Sequence, residues 1–338
     1  MMRIKAIHLT SLLILLFIVS TFLTIWITGM TLPAKQSAIY ASATMENQGD
    51  MYQDLTIEIP LYRTKENKVE KLPLEEYLIG VVAAEMPPEF EMEALKAQAI
   101  TARTYLIRRI VEKDFSDVPT GAWVNDSIQH QVYLDDETLR EQWGALYEEN
   151  RAKIARSVKE TEGLILTYQN QPINATFFST SNGYTENAEE YWQTEIPYLR
   201  SVPSPWDLSS PRYKETIRMP IETLEQKLGV KISNLGDAQN WSKVIDRTTG
   251  KRINRIIIGN KTFTGREVRE KLELNSSSFT WQRDKDQLLI TTYGYGHGVG
   301  MSQWGADGMA KEGKKAVEIL KYYYQGVELT DYREWIIR

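Results

Sequence analysis

Glu85 is the residue whose setting most suggests chemistry. In the run Leu74–Met86, apolar residues recur at Leu74, Leu78 and Val81 or Val82, so position 85 continues one helical stripe. A carboxyl that closes an apolar face loses hydration, and the negative end of the helix macrodipole lies beside it. Both effects favour the protonated acid. General acid catalysis at neutral pH uses such a group. The same spacing also suits a helix-terminal glutamate that turns back to solvent or pairs with a lysine. Lys96 and Arg103 lie seven residues apart and share a face of the next helix. The short Pro87-Pro88-Glu89-Phe90 connection could fold that face back toward Glu85, although surface solvation is the ordinary role of such a pair.

Two further segments carry polar and aromatic groups. Thr176–Trp192 reads TFFSTSNGYTENAEEYW, a mixture of hydroxyls, amides, carboxylates and flat rings that suits a sugar site as well as a polar loop. Ser179, Thr180 and Ser181 raise the question of a serine nucleophile, but the G-x-S-x-G elbow is absent and no histidine stands in a motif with them. Tyr293–Ala306 reads YGYGHGVGMSQWGA, with glycines at 294, 296, 298 and 300 that let backbone approach a ligand closely. It matches no phosphate-cradling pattern. His297 there is either a ligand-binding or acid–base residue, or a structural group in a tight turn. His130, between polar neighbours, reads as structural or surface, and histidines at 8, 130 and 297 are too scattered for a metal site.

These groups need a scaffold. The 338-residue chain is 42% hydrophobic and 25% charged, enough for one large domain or two interlocked lobes. A net charge of -5 argues against general nucleic-acid binding, and the lack of cysteine excludes disulfides and thiolate metal sites. Leu9 to Leu32 carries no charge and follows Arg3 and Lys5; as a helix its 24 residues would span about 36 Å, enough to cross a membrane. Residues 1–8 then form a cytoplasmic tail, 9–32 an uncleaved anchor, 33–50 a tether and 51–338 an extracytoplasmic domain. Alternation at Leu55, Ile57, Ile59 and Leu61 predicts a strand, with a returning strand near Val69. Helices are predicted at Leu74–Met86, Glu91–Val111, Asp136–Leu146, Asn150–Thr161, Thr264–Leu272 and Lys314–Tyr324. Hairpins are predicted for Leu164–Tyr168 with Ile173–Phe178, and for Val244–Ile245 with Ile253–Ile258. Mixed helices and antiparallel strands without βαβ alternation give an α+β fold.

Three segments together resemble the stage II sporulation protein D family: LPLEEYLIGVVAAEMPPEFEMEALKAQAITARTYL (72–106), FFSTSNGYTENAEEYW (177–192) and GYGHGVGMSQWGADGMA (294–310). The resemblance implies a peptidoglycan lytic transglycosylase with a substrate cleft between its lobes, active in forespore engulfment. It would cut between N-acetylmuramic acid and N-acetylglucosamine and leave a 1,6-anhydro end. Glu85 matches the family's catalytic glutamate, while Lys96, Arg103 and Tyr198 look similar to its site residues and Ser179 and His297 are candidates beside them. Some relatives hold zinc through cysteine; none is present here, so no metal or other cofactor is carried over. The implied partners are glycan strands, an amidase (stage II sporulation protein P) and stage II sporulation protein M. The implied location is the mother-cell membrane facing the forespore. Two other readings remain: an amidase-modifying or wall-binding scaffold without catalysis, and a hydrolase that pairs Glu85 with Glu189 or Glu190.

Overall fold

In the computed structural model, residues 57–232 and 241–336 are described. The tail, anchor and tether expected over residues 1–50 lie outside them. No helix among the described residues is long and apolar enough to cross a membrane.

The fold is mixed α+β. Strand β1 (Glu58–Arg63) and strand β2 (Lys68–Pro73) form an antiparallel hairpin, and β3 (Val124–Asn125) joins β1 in parallel. Helix α1 (Leu74–Glu85) follows at once, and Pro73 costs nothing at its start because that N–H would have no helical partner. Met86 is extended (φ -127°, ψ 139°), as a residue before proline prefers, so the helix stops at Glu85. The single apolar stripe predicted for α1 is wider in the structure. Tyr77, Leu78, Ile79, Gly80, Val81, Val82 and Ala83 are all buried, because the helix runs through the core instead of lying on it.

Helix α2 (Met92–Glu112) packs beside α1, followed by α3 (Asp136–Trp143) and α4 (Tyr147–Lys159). Strand β4 (Leu164–Tyr168) turns through Gln169 and Asn170, both at positive φ, into the two-residue β5 (Gln171–Pro172). The hairpin expected to extend to Phe178 ends there. Instead β6 (Phe177–Phe178) pairs in parallel with a distant strand, Met301–Ser302. Gly300 permits this: a Cβ at that position would collide with the Thr176 carbonyl.

Two separate hydrophobic cores result. One gathers residues from Ile59 to Val202 and from Val299 to Tyr332, with Tyr77, Leu95, Ile100, Leu166 and Tyr323 at its centre. The other is built by the intervening chain, from Met219 to Ile290, around Leu224, Trp241, Ile258 and Leu288. Its frame is two antiparallel sheets of three strands each, one of them Phe279–Asp284, Gln287–Tyr293 and Lys214–Pro220. The Thr248–Lys251 hairpin and the Gly265–Leu272 helix form as predicted. The glycine segment after Tyr293 leads the chain back to the first core.

Candidate active site

Glu85 ends α1 and lines a cavity of about 610 Å³. Burial raises its pKa, and the helix C-terminus adds unfavourable potential for an anion. Two groups pull the other way. The Val132 N–H donates to Glu85 Oε1 at 3.1 Å, and Gln303 turns its side-chain amide toward the carboxyl. The Gln303 Nε2 is buried yet lies outside hydrogen-bond geometry with any described protein atom, so it has a donor to spare.

The local sequence explains how both groups arrive there. The loop carrying Val132 is fastened at His130, whose Nδ1 accepts the Asn125 N–H at 2.8 Å and whose Nε2 lies 3.0 Å from Asp117 Oδ2. It is also pressed against α1 at Gly80, where a Cβ would collide with the Tyr133 ring. Gln303 opens helix α5 (Gln303–Lys311), whose N-cap Ser302 accepts the Gly305 N–H and donates to Asp207 Oδ1 at 2.5 Å. Asp207 is fully buried and also receives Ser181 N–H and Oγ–H, both at 2.8 Å, and Ser204 Oγ–H at 2.5 Å. One carboxylate thus ties the Ser179–Asn182 loop to the helix that presents Gln303.

The cavity walls are largely aromatic: Phe90, Trp143, Phe177, Phe178, Tyr295 and Trp304. Phe90 and Trp304 meet edge to face with centroids 5.0 Å apart. Such rings can cover the apolar faces of sugars while polar groups fix their hydroxyls. Among the described lining residues Glu85 is the sole carboxylate, and Arg212 on the rim is the sole side chain with a permanent positive charge. His297 also lines the cavity, enclosed by the rings of Phe178, Tyr191 and Trp192. Burial, reinforced by the positive charges of Arg269 and Arg252, pushes its pKa down to about 3. Its Nδ1 accepts the Val299 N–H at 3.1 Å, which leaves the hydrogen of the neutral ring on Nε2.

A protein-family model described as Stage II sporulation protein (SpoIID) matches residues 62–168, the segment that contains Glu85 and Val132. "Stage II sporulation protein D" of Bacillus subtilis (strain 168) is 51% identical over 275 residues, 81% of this chain and 79% of that protein. The Bacillus amyloliquefaciens protein of the same name is 48% identical over the same shares of both chains. The chain belongs to the stage II sporulation protein D family. A more distant relative, "Amidase enhancer" of Bacillus subtilis (strain 168), is 27% identical over 75% of this chain and 40% of that protein.

Of the residues singled out from sequence, this family member brings Glu85, Ser179 and His297 to one cavity. Arg103 is elsewhere. It is fully buried and grips the Glu75 carboxylate through Nε and Nη2, at 3.3 and 2.7 Å, while Nη1 and Nη2 also donate to the carbonyls of Thr161, Leu164 and Val158. Every donor of the guanidinium is occupied, so none is left for the substrate carboxylate expected of it. Lys96 bridges Glu160 at 2.5 Å and Glu93 at 3.2 Å, joining α2 to the end of α4. The Tyr198 hydroxyl accepts the Asn174 N–H at 2.9 Å and its ring packs on Tyr168, so it too is placed outside the cavity lining. Glu189 pairs with Arg200 at 2.5 Å and Glu190 accepts the Thr249 N–H at 2.8 Å; neither lines the cavity. No group of three His, Asp or Glu among the described residues is arranged to hold a metal ion.

Sequence reading missed Val132, Gln303, Arg212 and Asp207. Gln303 lies inside the third family-like segment and follows a capping serine, a signal that could have found it. The Val132 contribution is a backbone N–H and has no side-chain signature.

Proposed function

We propose that this protein is a lytic transglycosylase of peptidoglycan glycan strands. The observation that carries the reading is one carboxyl, raised in pKa by burial, in an aromatic-walled cavity with no second carboxylate among its described lining residues. Hydrolytic glycosidases use a second carboxylate to activate water or to form a glycosyl-enzyme intermediate. A transglycosylase does not, because the muramyl C6 hydroxyl is the nucleophile. Protonated Glu85 gives its proton to the glycosidic oxygen as that bond breaks. The resulting carboxylate then takes the C6 hydroxyl proton as the oxygen closes on C1, so Glu85 is restored and no water is consumed. Val132 N–H holds the transient carboxylate, and the Gln303 amide, turned toward it with a donor to spare, can close on it as the charge forms. Ser179 offers a hydrogen bond to sugar hydroxyls, while neutral His297, its ring nitrogens engaged by Val299 and the Phe177 backbone, shapes the wall beside it.

Family membership supports a role in sporulation, and the reading places the catalytic domain outside the cytoplasm on an anchor at residues 9–32. There it would act on strands cleared by an amidase, with stage II sporulation proteins P and M as the proposed partners. The test is mass spectrometry of digested peptide-free strands. Anhydro ends, lighter than reducing ends by one water, are expected from the wild type and absent with Glu85→Gln, a loss of about 10²–10⁴ in rate. Reducing ends would instead establish hydrolysis. The name of the amidase-enhancer relative favours a second reading, in which the domain modifies an amidase without cutting strands. Intact strands together with a faster amidase would establish it.

A further inference from the structure

The cavity beside Glu85 has one source of permanent positive charge among its described lining residues, Arg212. Its surroundings differ from those of the other arginines discussed above. Arg103, Arg200 and Arg252 each engage a carboxylate. No carboxylate among the described residues lies within ion-pair reach of Arg212. Its guanidinium instead lies over the Tyr295 ring, 4.7 Å from the centroid. A cation held flat on an aromatic face keeps the N–H groups along its edge free, and those groups match the two oxygens of a carboxylate.

The backbone beneath it is firmly held. Arg212 N–H donates to Ser210 Oγ at 3.1 Å, Ser210 Oγ lies 2.9 Å from Thr180 Oγ1, and Ser210 N–H donates to the Asp207 carbonyl at 2.9 Å. Arg212 is therefore fixed to the same framework that positions the Ser179 loop and Gln303. Across the cavity, His297 stays neutral and Gln303 is uncharged, so neither compensates an anion on a bound sugar.

We propose that Arg212 is the specificity residue that reads a free carboxylate on the sugar next to the scissile bond, the lactyl carboxylate of a peptide-free muramyl residue. The assignment rests on the glycan-strand reading above. It gives the cavity a division of charge: an acid at Glu85 where the bond breaks, and a cation at the rim where an acidic substituent is held. Because Arg212 is exposed, solvent screens its contact to the lower end of what a hydrogen bond between charged groups contributes, about tenfold in affinity.

The test compares two probes on the full-length protein: peptide-free glycan strands, and the same strands with their lactyl carboxyls converted to amides. In the Glu85→Gln background the strands remain intact, and equilibrium binding is measured by calorimetry. About tenfold tighter binding of the carboxylate strands is expected, a preference that Arg212→Ala abolishes and Arg212→Lys restores in part. With active protein, Arg212→Ala should raise KM for carboxylate strands about tenfold and leave kcat and the KM for amidated strands nearly unchanged. Equal binding of both strands by the parent, or an unchanged preference in Arg212→Ala, overturns the proposal. Intact strands with the active protein would overturn the transglycosylase reading alone, since the binding comparison still decides the role of Arg212.

Discussion

At the scale of single residues, burial governs the site, and it acts in opposite senses on its two titratable groups. The Glu85 carboxyl binds its proton more tightly in the fold than in the unfolded chain, where its pKa is about 4.3. Its contribution to stability is therefore fully present below that value and lost as pH rises through the raised native pKa. Glu85→Gln keeps an acceptor for Val132 and has no charge to bury. Its melting temperature should exceed that of the wild type by a margin that grows from about pH 4 to about pH 7; a margin that stays constant would show that Glu85 is already ionised without cost. His297 runs the other way. With its native pKa at about 3 and an unfolded value near 6.5, neutral burial stabilises fully above about pH 6.5, and the contribution is lost as pH falls toward 3. Nitrogen NMR of the imidazole should show the Nε2-protonated neutral ring persisting to about pH 4. Titration near 6.5 would contradict this and reopen an acid–base role.

At the scale of elements, helices α1 and α2 hold the site from behind. Arg103 fastens α2 to Glu75 at the start of α1 and to three carbonyls at the end of α4 and the start of β4. Arg103→Ala should lower stability by at least about 3 kcal/mol, because it strands Glu75 and the buried carbonyls. Arg103→Lys should recover little of it, since an ammonium lacks the five-donor fork. Normal denaturation curves with lost cleavage would return Arg103 to the substrate. Gly80 tests the connection between α1 and the Val132 loop. A methyl there meets Tyr133 and the Leu134 carbonyl, so Gly80→Ala should cost about 1–3 kcal/mol in overpacking. It should also reduce cleavage by more than the unfolded fraction explains, because Val132 moves away from Glu85. Activity that falls only in step with the folded fraction would separate the loop from catalysis.

At the scale of the whole molecule, the second core is an insertion into the first. The chain leaves the first core after Val202, forms the second core between Met219 and Ile290, and returns through the glycine segment to pair Met301–Ser302 with Phe177–Phe178. The cavity takes residues from both sides of that excursion, Phe177–Ser179 before it and Tyr295–Trp304 after it. The glycines of this segment also serve protein packing, since a Cβ on Gly298 would collide with the Arg252 guanidinium, while Gly296 lines the cavity. The N-terminal anchor is a prediction at this scale as well. Protein isolated from producing cells should keep its first residues, and N-terminal sequencing that began near Thr44 would show processing instead.

Local chemistry made much of this protein legible in one dimension. Pro73 and Pro87 bound α1 because proline limits the backbone on either side of a helix, and the apolar spacing up to Glu85 placed a carboxyl where water is scarce. The mixed α+β class followed from the succession of local patterns, and the family from three motifs taken together in their order along the chain. Partner choice was another matter. Arg103, Lys96 and Arg212 are chemically alike in sequence, and what each does depends on which carboxylates the fold brings within about 4 Å. Arg103 and Lys96 find theirs in Glu75 and Glu160, residues 28 and 64 positions away along the chain, whereas Arg212 is left over a tyrosine ring at the mouth of the cavity. Local sequence sets what a side chain can do; long-range packing decides which one still has a hand free to do it.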